Sequence, residues 1–311
     1  MGQRDWNDGP MISEKMLLRD KERQVAQRQK KVQMTVLATA LPYLLILPAF
    51  LIVVFFIVYP IGTTVVRSFQ DGETKAFTWA NYQYFLTDPI QQANLLYTLQ
   101  IVIVTVVFSV VLGYLLALYM RFSRSKVSKW MNQLNLLPRF IPSLVAVYSM
   151  IMVIRDSGVL NRVSQLFGGD YKPGMMYNAV GITVMNLWFN IPFVALLILA
   201  SLSSIRMASV EAARDVGANW FQIFKSIILP VTYKEVLVAI TFVFMGNVGS
   251  FTTPFLMGGN HPKMLGIALY DQFNSYMDYE RTAALSVIMF LICSVSAVFY
   301  IISNLKKEKW R

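Results

Sequence analysis

Apolar stretches, separated by shorter polar and charged ones, dominate the chain. Six of them reach or exceed the roughly 20 residues that a helix needs to cross a hydrocarbon core: 36–60, 94–120, 131–155, 176–202, 236–258 and 283–303. None alternates apolar and polar residues with period two. In lipid each run must satisfy its own backbone hydrogen bonds, so helices are expected here and barrel strands are not. The predicted fold is an all-α membrane protein with six transmembrane helices over 36–305, preceded by a mixed-charge basic tail at 1–35 and followed by a basic end at 306–311.

The polar interruption at 203–235 has internal order. Ser209 suits the N-cap of a short helix with Glu211 in its first turn, where a carboxylate favours the positive end of the helix dipole. Gly217 suits the left-handed residue just past a helix end. Asn219 with Gln222 three residues on has the form of a capping box opening a second helix, which Pro230 is expected to stop or kink. Val210 and Ala213, then Trp220, Phe221, Phe224, Ile227 and Ile228, recur at helical spacing. The segment therefore reads as two short amphipathic helices forming a knob. Periodicity alone leaves open whether the knob lies on lipid headgroups or docks on a protein, and Ala212 and Ala213 favour close approach to a protein groove.

Charge adds an orientation. Of the 28 Lys and Arg, twenty fall in the tail, in the loop after the second run (Arg121, Arg124, Lys126, Lys129), in 203–235 and at the end, whereas the alternate loops hold seven. The positive-inside rule then puts both termini and the knob in the cytoplasm. The net charge of +11 is thus a topology signal and speaks against a nucleic-acid partner. The tail is too long and too charged for a signal peptide's first region, so it is expected to be retained.

Several chemistries are excluded. There is no Gly-rich phosphate loop of the ATP-binding type, the only histidine is His261, and the only cysteine is Cys293, expected to be a packing residue. No cofactor or metal is expected on this chain, and no nucleophile–base constellation can be assembled. None of the 17 acidic residues falls inside the six predicted runs, which argues against an ion-driven transporter. Polar residues inside or beside the runs cluster at Asn186, Asn190, Asn247, Ser250, Thr252 and Thr253, among the helix breakers Pro192, Gly246, Gly249 and Pro254. They are candidates for a solute path, against the plainer reading that such residues hold helices together. Arg139 and Arg155 flank the third run and are expected to snorkel to the interfaces, while Trp188, Phe189 and Phe251 offer cation–π surfaces.

Glu211-Ala212-Ala213, then Gly217, Ile227 and Leu229-Pro230 at these spacings resemble the cytoplasmic EAA loop of the membrane subunits of type I ABC importers. The resemblance covers roughly 36–305. It implies that Glu211, Ala212, Ala213, Asp215, Gly217, Ile227, Leu229 and Pro230 couple the chain to a cytoplasmic ABC ATPase dimer carrying ATP and Mg. It also implies a second, homologous permease subunit, an extracytoplasmic binding protein and a place in the bacterial cytoplasmic (inner) membrane. Leu47-Pro48, Tyr59-Pro60, Ser68-Phe69 and Asn81-Tyr82 resemble sugar and polyamine permeases alike. Residues 251–259 and 269–273 are more similar to spermidine/putrescine-type permeases, whereas 258–262 follow neither pattern. Polyamine-like or other small charged solutes are the favoured cargo, with a sugar or glycerophosphodiester as the alternative.

Overall fold

A computed structural model describes residues 41–305, with side chains to Ile302. The expectations for 1–35 and 306–311 lie outside the described residues. The chain divides into two compact units, up to Thr63 and from Thr64 onward. Helix α1, Leu41–Ser68, supplies the described part of the first unit.

In the second unit the helices are α2 (Ala80–Thr87), α3 (Pro89–Phe122), α4 (Lys126–Leu134), α5 (Leu137–Phe140), α6 (Ser143–Ile154) and α7 (Val159–Leu166). They continue with α8 (Ala179–Leu202), α9 (Met207–Asp215), α10 (Trp220–Val248), α11 (Thr252–Met257), α12 (Leu265–Tyr270) and α13 (Tyr279–Leu305). Six stretches are long and apolar enough to cross a membrane: α1, α3, Ser143–Leu166, α8, α10 and Tyr279–Ile302. Beyond one isolated bridge between Gln70 and Phe77, no strand occurs among the described residues.

Helices α3, α8 and α10 form the centre, and α13 packs against α10. The α3–α8 crossing is close because Gly113 has no side chain. A Cβ there would lie 2.7 Å from Val194 Cβ and 3.0 Å from the Ile191 carbonyl. Asp88 caps α3 by accepting from the Ile90 and Gln91 amides, and Asn178 caps α8 through the Val180 and Gly181 amides. Buried Thr98 accepts from the Leu265 amide at 2.9 Å, and Asn94 from the Lys263 amide at 2.7 Å, which fixes the chain after α11 to the central helix. Glu280, buried in the first turn of α13, pairs with Lys75 at 2.7 Å.

Several boundaries differ from the sequence reading, and prolines explain most of them. The run 131–155 is broken: Pro138 and Pro142 divide it into α4, α5 and α6, and the membrane-length stretch becomes Ser143–Leu166. Pro230 does not stop the helix. A proline cannot donate to the carbonyl four residues back and clashes with it. A π turn over Phe224–Ile228, with the Leu229 amide reaching the Phe224 carbonyl, absorbs that mismatch and lets α10 begin at Trp220. The same device, Val54–Val58, precedes Pro60 and extends α1 to Ser68. At its other end α10 stops at Val248, because Gly249 and Ser250 leave the helix and α11 starts anew. With these boundaries three carboxylates do lie inside membrane-length segments, Asp156 in Ser143–Leu166, Glu235 in α10 and Glu280 in α13, which corrects the expectation that none would.

Candidate functional site

The knob is α9, a reversal at residues 216–219, and the first turns of α10. Its first helix starts earlier than predicted: Arg206 is the N-cap in extended conformation, and Ser209 already lies in the first turn, its amide bonded to the Arg206 carbonyl at 3.1 Å. The end is as the glycine implied. Gly217 has φ +85°, its amide bonds the Arg214 carbonyl at 2.9 Å, and the Ala218 amide bonds the Ala213 carbonyl at 3.0 Å, the paired bonds of a Schellman cap. Asn219 and Gln222 form the expected capping box.

The knob is fastened to the bundle at several points. Arg121, at the end of α3, donates from Nε to the Leu202 carbonyl (3.1 Å) and from Nη2 to the Ile205 carbonyl (2.9 Å), so it caps the C-terminus of α8 where the chain turns into α9. Trp220 packs edge-on against Phe122 at 5.3 Å under the Arg214 guanidinium, and Phe224 packs edge-on against Tyr114 at 5.7 Å. The Tyr114 hydroxyl is 2.6 Å from Thr232 Oγ1. Val210, Ile223 and Ile228 are buried beneath these contacts.

Among the predicted coupling residues, Glu211, Ala212, Asp215, Gly217, Leu229 and Pro230 are exposed, while Ala213 and Ile227 pack half-buried against the chain's own core. The outer surface also presents Val216 (85% exposed) and Phe221 (71%). Periodicity assigns Phe221 to the inward stripe and does not mark Val216. Nothing in the sequence singles out Arg121 beyond its charge, which serves equally well as a topology signal.

The six predicted path residues, Asn186, Asn190, Asn247, Ser250, Thr252 and Thr253, all line one cavity of about 650 Å³. Helix α8 contributes Asn186, Phe189, Asn190 and Phe193, and α10 contributes Phe242, Gly246 and Asn247. The broken segment closes the other side with Pro138, Arg139, Ile141, Pro142 and Ser143. A Cβ at Gly246 or Gly249 would meet nothing within 4 Å, so these glycines border open space and hold no crossing. Asn190 and Asn247 donate to the carbonyls of Asn186 (2.7 Å) and Val243 (2.6 Å), one turn back in their own helices. The Nδ2 of Asn186 is buried and has no hydrogen-bond partner.

Arg139 precedes the stretch that begins at Ser143, and its side chain lies against the middle of α8. Asn135 Nδ2 donates to the Pro192 carbonyl at 2.9 Å, and the Arg139 guanidinium stacks 4.2 Å from the Phe193 ring centroid. Pro192 lies inside α8, roughly 20 Å of helix from its start and 15 Å from its end at 1.5 Å per residue. Breaking the third run at its prolines is what brings this cation to mid-helix depth. Arg155 follows the end of α6 but lies inside the membrane-length stretch Ser143–Leu166 and does not flank it. No Asp or Glu lines the cavity. Glu235, whose Oε2 is buried without a hydrogen-bond partner, sits on α10 roughly 16 Å along the axis from Gly246. Trp188 does not line the cavity, and among the described residues no His/Cys/Asp/Glu group is placed to hold a metal.

Comparison with known proteins agrees with this architecture. The profile described as "Binding-protein-dependent transport system inner membrane component" matches residues 109–307. The thiamine transport system permease protein ThiP of Haemophilus influenzae is 28% identical over 215 residues, 69% of this chain and 40% of that protein. The spermidine/putrescine permease protein PotB of Escherichia coli K12 is 26% identical over 225 residues, 72% of this chain and 82% of the relative. In a bacterial ABC transporter that imports alginate, one chain has the same fold, with a TM-score of 0.74 at 18% identity, covering 88% of this chain and 98% of the other.

Proposed function

Because the chain belongs to the family of binding-protein-dependent transport system inner membrane components, and is thus an ABC importer permease and a transport component, not an enzyme, we propose that its cavity is half of the path for a small charged solute, polyamine-like or otherwise. In this reading a second permease subunit supplies the other half, and an extracytoplasmic binding protein delivers the solute. The knob at 207–230 faces the cytoplasm and seats on an ABC ATPase dimer that binds ATP and Mg; Glu211, Ala212, Asp215 and Gly217 are its outward contacts.

The observation that carries this reading is the placement of two sites on one helix. Helix α10 bears the knob at its first residues and the cavity wall at Phe242, Gly246 and Asn247 near its last. The sequence has no Gly-rich phosphate loop, so force is taken to enter from outside, and the knob is the part fastened to the bundle yet exposed on its far side. A sugar or glycerophosphodiester is the second reading, favoured by Phe189, Phe193, Phe242 and Phe251 in the cavity lining, which suit the apolar faces of sugar rings.

The test is reconstitution of the chain with the ATPase, the second permease and the binding protein in vesicles. ATP-dependent accumulation of solute, abolished when Gly217→Pro breaks the knob, is expected. Uptake that persists without the ATPase, or an ATPase that fails to co-purify with the unaltered chain, refutes the reading.

A further inference from the structure

We propose that the cavity takes its solute by an anionic group, a carboxylate, phosphate, phosphonate or sulfonate, with Arg139 as the specificity-determining contact. This rests on the importer reading above and narrows its cargo. Four independent features of the lining point the same way.

The only ionised side chain in the lining is a cation. Arg139 has no ion-pair partner among the described residues; its guanidinium rests on the Phe193 ring, a contact that orients the plane without neutralising the charge. Next to it, the twelve-residue helix α6 begins at the cavity. Its N-cap is Pro142, which offers no side-chain acceptor, and the first intrahelical bond is from the Ala146 amide to the Pro142 carbonyl. The amides of Ser143, Leu144 and Val145 therefore precede the ladder, at the positive end of the helix dipole. Across the cavity, Asn186 is only 3% exposed and its Nδ2 is an unanswered donor. A buried donor without an acceptor is costly, and a solute oxygen is the partner that the cavity admits. Finally, no carboxylate is present to hold an ammonium group.

The rest of the lining sets a second requirement. Asn190 and Asn247 spend amide hydrogens on their own helices, which leaves their oxygens as acceptors, and Ser143, Ser250, Thr252 and Thr253 add hydroxyls. The best-matched cargo is a compact anion that also carries O–H or N–H donors. A polycation would meet a guanidinium and a helix N-terminus with no carboxylate in the lining to offset them.

The experiment uses the assembled transporter in nanodiscs, without the binding protein and without ATP, and reads saturation transfer to methylphosphonate, acetate, methanesulfonate and spermidine by NMR. The expected result is saturable transfer to at least one of the three anions and none to spermidine. Arg139→Gln weakens the anion response by about tenfold or more, whereas Arg139→Lys, which keeps the charge but loses the planar stack and the bidentate fork, falls between the wild type and Arg139→Gln. Asn186→Asp, nearly isosteric, is a second variant that places a negative charge in the cavity; it abolishes anion transfer even if Arg139→Gln fails to assemble. Saturable transfer to spermidine alone, an anion response indifferent to Arg139→Gln and Asn186→Asp, or no saturable response to any probe overturns the proposal. Because this measurement needs no ATP, it can fail while ATP-driven uptake succeeds, and the reverse.

Discussion

Gly217 allows the knob's rigidity to be varied without touching its packing. A Cβ built there meets no atom within 4 Å, so a side chain costs nothing sterically and the whole penalty comes from holding φ at +85°. For alanine that penalty is about 1–2 kcal/mol, and for asparagine it is smaller, because asparagine visits the left-handed region readily. Proline cannot adopt a positive φ and also deletes the amide that bonds the Arg214 carbonyl at 2.9 Å, for a cost of about 3 kcal/mol or more. The expected order of destabilisation is Gly217→Asn, then Gly217→Ala, then Gly217→Pro. The Ala218 amide, held to the Ala213 carbonyl by the same cap, reports it through hydrogen exchange in the assembled transporter. A penalty of 1–2 kcal/mol corresponds to roughly 5- to 30-fold faster exchange for the alanine variant. Solute moved per ATP hydrolysed falls in the same order. Equal exchange at Ala218 in all four proteins would refute the idea that the glycine conformation holds the knob, and a normal transport ratio in Gly217→Pro would refute its mechanical role.

Three further experiments test the frame around the two sites. Gly113→Ala drives a Cβ into Val194 and is expected to cost about 1–3 kcal/mol, visible as a lower melting temperature in detergent, whereas Gly246→Ala, facing open space, leaves it unchanged. Arg121→Gln removes the cap on the Leu202 and Ile205 carbonyls; a loss of about 2 kcal/mol is expected, with faster amide exchange across residues 202–210 and little change elsewhere in the protein. Tyr114→Phe and Thr232→Val each break the 2.6 Å hydroxyl contact, so a double-mutant cycle should return a coupling of about 1 kcal/mol, and additive effects would show that the contact carries no energy.

Much of this arrangement is legible in the residues because lipid leaves few options. Run length gives the number of membrane helices, and the glycine and the Asn219–Gln222 pair give the reversal of the knob almost to the residue. The six polar residues stand out as side chains that a lipid-facing helix would not tolerate. The features that stay hidden depend on prolines. Pro138 and Pro142 break their run, and Pro230 and Pro60 do not, although each proline clashes equally with a regular helix. A π turn precedes Pro230 and Pro60, whereas α8 carries Pro192 with no such turn, and no local signal in the residues 54–58 or 224–228 announces it. From that one ambiguity come the undivided third run, with Arg139 not placed beside Phe193, and Glu235 left outside the fifth span. Phe221 is misassigned because helical periodicity identifies a stripe without saying which edge of it meets the core.

The distribution of fastenings suggests how the two sites communicate. At the knob end, α3, α8 and α10 are tied together: Arg121 binds the end of α8, Phe122 meets Trp220, and Tyr114 meets both Phe224 and Thr232. The α3–α8 pair is locked again at Gly113 and Val194. Toward the cavity one side of α10 opens, while Val243 and Val248 stay buried and Phe242 meets Phe193 at 6.3 Å. Gly246 and Gly249 face open space, α10 ends, and the opposite wall is the proline-broken segment around Arg139. Helix α10 is roughly 43 Å long at 1.5 Å per residue. Over a helix of this length a small tilt about the knob end becomes a larger displacement at the cavity end; a tilt of about 5° moves a point 30 Å away by roughly 2.6 Å. In the proposed importer, that displacement would separate the Asn247 side of the cavity from Arg139 and Asn186, and so loosen a solute held between them. The stiff cap at Gly217 and the π turn at Phe224–Ile228 then have distinct tasks: the first keeps the handle from bending, and the second carries the helix past Pro230 without a break.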